Sequence, residues 1–277
     1  MRKISNFINS SFVAIGSISS FVTILWAFLP NNMTELANKC PFSFLLSFFI
    51  LSLIYAYYRN RSKDKIELNL SDQVKAKIFF GDLFESKEII VIPVNEYFDT
   101  TVDDQIISSK TIHGKFIKKF FCGNEAELKN QLKNGLSQYK PLEINLERKS
   151  GNKHKYPLGT VCEVKNDKKV FYLVALTRFN SNHRAEVNNS EYQRVLCDLF
   201  SYIEQNSQGR KVSIPLIGAG HSGVKLSKQK LLEFLLFSIS LKDDLTLING
   251  IDVVLHESIK KEINLTSTQI LFNTIGS

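Results

Sequence analysis

The residues best suited to chemistry lie in IPLIGAGHSGV, from Ile214 to Val224. There Gly218, Gly220 and Gly223 punctuate a turn between a strand-like run and a segment of helical apolar spacing, LSKQKLLEFLLFSIS. Glycine permits positive φ and lets a ligand approach the backbone closely. A strand that runs into such a turn and then a helix leaves several N–H groups unpaired and directed one way, near the positive end of a helix dipole. That arrangement suits an anion, most often phosphate. The same spacing suits an ordinary tight turn whose glycines serve packing, and both readings stand at this point. The spacing also matches the G-x-G-x-x-G dinucleotide fingerprint. We set that match aside, because the loop comes late in the chain and the acidic candidates Asp243 and Asp244 precede the next strand. His221 lies in the loop with no evident acidic partner, the setting of a hydrogen-bonding or exposed histidine. No catalytic residue is assigned.

The elements around this loop read as an α/β domain. KEIIVIPVN, from Lys87 to Asn95, is a continuous apolar run rich in β-branched residues, as expected of a strand buried on both faces. QVKAKIFF is a strand followed at once by the turn GDLFES; if the two strands pair in parallel, Asp82 and Asn95 stand at neighbouring strand ends. Residues 102–140 read as mostly helical, with Asn124 and Glu127 as a capping box, and Ser190 with Gln193 as a second box opening EYQRVLCDLFSYIEQ. GTVCEVKNDKKVFYLVALTRF reads as a hairpin turning at Asn166 and Asp167, and GIDVVLHE as a last strand. Alternating strands and helices predict a three-layer α/β/α domain with a mixed sheet. Its ligand belongs at the carboxyl ends of the strands, where GDL, PVN and the glycine loop converge.

The first sixty residues are of another kind. No charge occurs from Ile4 to Thr34 or from Cys40 to Tyr58. At ~1.5 Å per residue, both 4–29 and 40–58 are long enough to cross a hydrocarbon core of ~30 Å, so a two-helix transmembrane hairpin is expected. A cleaved signal peptide is the competing reading of the first span, disfavoured by its length, by the absence of a cleavage site and by the second span. Arg2 and Lys3 precede the spans and Arg59, Arg61, Lys63 and Lys65 follow them, which predicts a multi-pass bacterial membrane protein with both ends cytoplasmic. The second cluster also suits anionic membrane lipids. Asn9, Gly16, Ser20 and Thr23 form a stripe that favours close helix packing, hence a homo-oligomer; a wetted pore lining is the alternative reading of the same stripe. Residues 63–74 read as a polar linker, and 75–277 as the ligand-binding domain.

Composition narrows the classes. Cys40, Cys122, Cys162 and Cys197 are far apart, with no C-x-x-C pair, so no metal site and a reducing compartment are expected for the soluble part. The formal charge of +8 is spread over Lys-rich loops and no nucleic-acid motif accompanies it, so no nucleic-acid partner is expected.

Three separated pieces in the same order resemble the macro domain, an ADP-ribose-binding module. GDLF resembles its G-D-I turn, IIVIPVN its strand ending in V-N, and IPLIGAGHSG its Pro-x-x-Gly-x-Gly-x-x-Gly phosphate loop; YPLGT and YLVALT are similar to a turn and core strand of the family. With the N-terminal spans and SKTIHGKFIKKFF, the chain resembles the membrane-anchored macro effectors of bacterial type II Thoeris antiphage systems. That resemblance implies a partner TIR-domain enzyme that consumes NAD and makes an ADP-ribose-derived signal, such as a histidine-ADP-ribose adduct. The macro domain then binds the signal as its ligand, with no cofactor, and the membrane part oligomerises and disrupts the membrane. It implies that Asp82 accepts from the adenine amino group beside the backbone of Leu83, and that Asn95 faces the distal ribose. Gly218, Ala219, Gly220, His221, Ser222 and Gly223 would wrap the diphosphate, and His113, Arg178 and His183 could meet a substituent on the distal ribose. Family hydrolases continue V-N-A-A-N, whereas this chain reads VNEYFDT with Phe98 at the second Asn position, which implies binding without turnover. A membrane-tethered ADP-ribose adduct hydrolase and a passive membrane anchor or scaffold are the alternatives.

Overall fold

The computed structural model describes residues 2–39, 41–60, 63–167, 169–179, 185–220, 223–242 and 245–275. The chain divides into two compact units, Met1–Lys63 and Asp64–Ser277.

The first unit is three helices, α1 (Arg2–Phe28), α2 (Pro30–Lys39) and α3 (Pro41–Asn60). The first helix stops just before Pro30. Pro30 opens α2, at the first helical position, where its missing N–H costs nothing. Helices α1 and α3 lie against one another, and α3 coincides with the second expected span. Phe12, Phe21, Phe28, Phe42, Phe49 and Tyr58 point outward and are exposed. Along the polar stripe, the Ser20 hydroxyl donates to the Gly16 carbonyl (3.0 Å) and the Thr23 hydroxyl to that of Ser19 (2.9 Å), so these hydroxyls are satisfied within their own helix. Among the described residues one segment, Ser11–Phe28, has the length and composition of a candidate membrane span.

The second unit begins with a strand. Residues read as a polar linker form β1 (Lys65–Ser71), antiparallel to β2 (Val74–Phe80). Ile66, Leu68 and Leu70 alternate with exposed polar residues, which is the period of a half-buried strand. After these come β3 (Ile89–Asn95), α4 (Ile112–Phe120), α5 (Glu125–Leu136), β4 (Glu143–Ile144), β5 (His154–Lys155), β6 (Val161–Asn166), β7 (Lys169–Phe179) and β8 (Ala185–Glu186). The chain finishes with α6 (Asn189–Asn206), β9 (Val212–Pro215), α7 (Lys228–Ser240), β10 (Leu247–Leu255) and a C-terminal α8 (Leu265–Ile275) that the sequence reading passed over.

The main sheet runs β1-β2-β10-β9-β3-β7-β6, with β8 pairing the end of β7. The central pairs are parallel and β1/β2, β6/β7 and β7/β8 are antiparallel, so the sheet is mixed. Because β10 and β9 separate β2 from β3, the expected pairing of those two strands does not occur. Alternate residues of β3 enter opposite cores: Ile89 and Val91 pack on the side of α6, α7 and α8, and Ile90, Ile92 and Val94 on the side of α4 and α5. Strand β7 divides in the same way, with Tyr172 and Val174 on one side and Phe171 and Leu173 on the other. The architecture is thus the three-layer α/β/α domain that the alternation predicts.

Two caps differ from the sequence reading. The Asn124 side chain makes no capping bond; the Gly123 amide instead donates to Glu125 Oε1 (3.3 Å). The box that opens α6 is Asn188 with Glu191, two positions before Ser190 and Gln193. Residues 99–111 are irregular rather than helical, and 106–111 form part of one wall of the cleft described next.

Candidate functional site

A cleft of about 970 Å³ opens at the carboxyl ends of β2, β3, β7, β9 and β10. Asp82, Leu83, Asn95, Gly218, Ala219 and Gly220 all line it, although β2 and β3 are not neighbours. His221, Ser222 and His183 lie outside the described residues, as do Asp243 and Asp244.

Asp82 caps a short 3-10 turn over Leu83–Glu85: its Oδ1 accepts from the Phe84 amide (2.9 Å), while Oδ2 lies 3.6 Å from Lys119 Nζ. The carboxylate is half exposed and faces the cleft with acceptor capacity left over. Leu83 occupies the first position of that turn, where a helical amide has no acceptor within the helix.

Asn95 ends β3 and is buried. Its Oδ1 accepts from the Tyr97 amide (3.1 Å) and the Asp99 amide (3.4 Å), and its backbone carbonyl accepts from the Phe98 amide (3.0 Å). The side-chain oxygen therefore organises the turn; among the described residues, no acceptor meets Nδ2. Phe98 sits at φ 51, in the left-handed region, at a cost of about 1–2 kcal/mol for a residue with a Cβ. Its ring is fully buried, edge-on to Tyr156 at 5.7 Å, and belongs to the core on the α4 side rather than to the cleft wall. The position that the resemblance marks as lost is thus turned away from the ligand space altogether.

The third wall is the glycine loop. Gly218 has φ 84, and a Cβ there would stand 3.1 Å from Tyr192 and 3.3 Å from Val224, so glycine is required by both backbone and neighbours. The Tyr192 hydroxyl holds the Ile217 carbonyl (2.9 Å), and Lys228 at the start of α7 donates to the Ala219 carbonyl. A Cβ on Gly220 would meet nothing, which leaves that position open to the cleft. Gly223 (φ 77) packs against Glu186 rather than lining the cleft.

The opposite wall is basic, with Lys110, Lys115, Lys118 and Lys119. Spacing of three and four residues places the last three on one helix face, a signal the sequence offers and the site reading did not use. Thr111 caps α4 by accepting from the Gly114 amide (3.0 Å), and Gly114 is required because a Cβ would stand 2.3 Å from the Ser108 carbonyl. His113 also lines this wall, and burial pushes its imidazole down to about 4 against the opposing pull of Asp99, so it is neutral near pH 7. Arg178, between the cleft-lining Thr177 and Phe179, is held by Glu186 (3.5 Å) and Glu191 and does not itself line the cleft.

The family described as Thoeris protein ThsA, Macro domain, matches residues 76–256. A curated relative, the Thoeris protein ThsA of Bacillus amyloliquefaciens (strain Y2), is 31% identical over 235 residues, covering 81% of this chain and 74% of its own. Among solved structures, a mutant of the Oceanobacillus iheyensis macrodomain aligns with a TM-score of 0.54 at 11% identity, covering 78% of this chain and 100% of that one. A second mutant of it, with ADPR, aligns with a TM-score of 0.51 at 12% identity, covering 77% of this chain and 100% of that one. These likenesses to solved structures carry the fold alone.

Proposed function

Since the chain belongs to the macro-domain family of the Thoeris protein ThsA, we propose that its cleft binds an ADP-ribose-derived nucleotide signal and that it serves antiphage defence as a ligand-sensing membrane effector. The observation that carries this reading is the convergence of Asp82, Asn95 and the 218–220 backbone on one cleft of about 970 Å³, within the size range of small-molecule sites. Asp82 Oδ2 accepts from the adenine amino group, the Leu83 amide lies beside the base, and Asn95 Nδ2 donates to a hydroxyl of the distal ribose. The glycine loop donates its amides to the diphosphate, and the lysine wall offsets its charge.

The protein binds this ligand without turning it over. In support, Phe98 is packed in the core and presents no polar group to the cleft, and no cofactor enters the reading. The signal comes from a TIR-domain partner that consumes NAD. The N-terminal helices cross the membrane twice with both ends cytoplasmic, contact lipid, and self-associate on signal to disrupt the bilayer. The apolar span Ser11–Phe28 and the outward-facing aromatics of α3 support the membrane part. For gating, the ligand must prefer the assembled state; a preference of about 100-fold supplies about 2.7 kcal/mol.

Calorimetry of full-length protein in detergent with ADP-ribose tests the binding step. Saturable binding that disappears in Gly220→Val is expected, since the new side chain enters open cleft space. Failure of the wild-type protein to bind removes the reading, and ADP-ribose released from an adduct on long incubation favours a hydrolase. Ligand-triggered dye release from vesicles carrying the protein tests the membrane step, and a tight vesicle under saturating ligand counts against it.

A further inference from the structure

We infer that the Arg148–Asp99 pair, outside the cleft, is the positioning device for Asn95 and so sets selectivity for ligands that carry a second sugar. The inference rests on the nucleotide reading of the cleft. The turn 96–99 that presents Asn95 contains a strained Phe98 (φ 51), and a strained turn persists only where its surroundings over-determine it. Strand β7 holds its first residue, with the Glu96 amide donating to the Thr177 carbonyl (2.8 Å) and Glu96 Oε1 accepting from the Phe179 amide (3.1 Å), and residues 148–156 hold the rest. The Asp99 carboxylate accepts from Arg148 Nη1 (2.8 Å) and Nη2 (2.7 Å) and from the Asn152 amide (2.7 Å). Asn152 Nδ2 in turn donates to the carbonyls of Tyr97 (3.1 Å) and Phe98 (2.7 Å), and the Tyr156 amide donates to that of Glu96 (2.9 Å).

Each residue of the turn thus has a hydrogen bond or ring contact from residues 148–156. The guanidinium also lies 4.0 Å from the centre of the Tyr97 ring and 5.6 Å from that of Phe179, a cleft-lining residue. Gly151 (φ 82) is required for this approach, because a Cβ would stand 2.4 Å from Asp99 Oδ1. Mechanically, Arg148 fixes the Asp99 carboxylate, and the Asp99 amide fixes Asn95 Oδ1 (3.4 Å), which leaves Asn95 Nδ2 in one orientation. Arg148 touches no ligand. It acts through Asn95, whose strand stands three places from that of Asp82 in the sheet.

The test compares ADP, which lacks the second sugar, with ADP-ribose, using full-length protein in detergent. Arg148→Met and Asn152→Ala weaken ADP-ribose binding about tenfold and ADP binding less than about twofold, and Arg148→Lys lies between, because an ammonium keeps the charge without the two-pronged geometry. Hydrogen exchange at the Tyr97 and Asp99 amides quickens in step. Equal weakening of ADP and ADP-ribose, or an unchanged ratio in both variants, overturns the inference and leaves the nucleotide reading intact. Wild-type protein that binds neither ligand overturns both. Asn152→Ala retains the ion pair, so it supplies the answer should Arg148→Met not fold.

Discussion

At the end of β2, Asp82 is half exposed, holds a single short turn and faces a half-exposed lysine side chain. At the end of β3, Asn95 is buried in a turn held by the Arg148 ion pair and by four hydrogen bonds from Asn152 and Tyr156. An exposed carboxylate can reorient at little cost; a buried amide whose oxygen is already committed cannot. On the proposed nucleotide reading, the first arrangement suits a group that every adenine nucleotide shares. The second is pre-organised, as needed to reject ligands lacking a matching hydroxyl, because a buried donor left unpaired costs about 1–3 kcal/mol.

The contrast breaks most sharply at Arg148. Its removal leaves Asp99, whose side chain is 0% exposed, without its cation, and Arg148→Met should lower unfolding stability by about 3–5 kcal/mol in denaturant titration. Acid is the next lever. The folded His113 imidazole lies near 4 against 6.5 when free, so the unfolded chain binds more protons between those values. The contribution is complete above about pH 6.5 and is lost as pH falls toward about 4, up to about 3 kcal/mol in all. Burial raises Glu96 and works in the opposite sense, so the quantity to measure is the difference between wild type and His113→Gln, which should lose this slope. An unchanged slope would mean that His113 is charged or exposed in the folded state.

Smaller effects sharpen the comparison in the glycine loop and at Asp82. Gly218→Ala should cost about 1–2 kcal/mol for its φ alone, whereas Gly220→Ala, which meets nothing, should leave stability unchanged or raise it by up to about 1 kcal/mol. Thermal melts of the two variants should therefore separate. Asp82→Ala gives up one cap and one exposed ion pair, about 1 kcal/mol and partly screened by salt, far below the Arg148 effect. Equal losses at Asp82 and Arg148 would erase the distinction between the two ends.

The strands that carry the site were legible because β3 and β7 are apolar on both faces, and a run of that kind admits few other folds. The glycine loop was legible for a related reason: its backbone demands are written in residue type. Three features were not. β1 has short alternation between charged residues that imitates a linker. The separation of β2 from β3 is a matter of sheet order, which no local pattern encodes. The Arg148–Asp99 pair joins residues 49 positions apart, and without it Phe98 reads as a ring in the ligand space rather than a core residue held in a left-handed turn.

Strand β10 fits between β2 and β9, so the sheet that aligns Asp82 with the glycine loop closes through its own penultimate element. A nascent chain that has released only β1 to β9 lacks the floor between the two halves of the cleft, together with Val254 and His256 of its lining. The cleft is therefore completed late in synthesis, long after the N-terminal helices have emerged. A chain cut short before Leu255 carries those helices without a complete cleft.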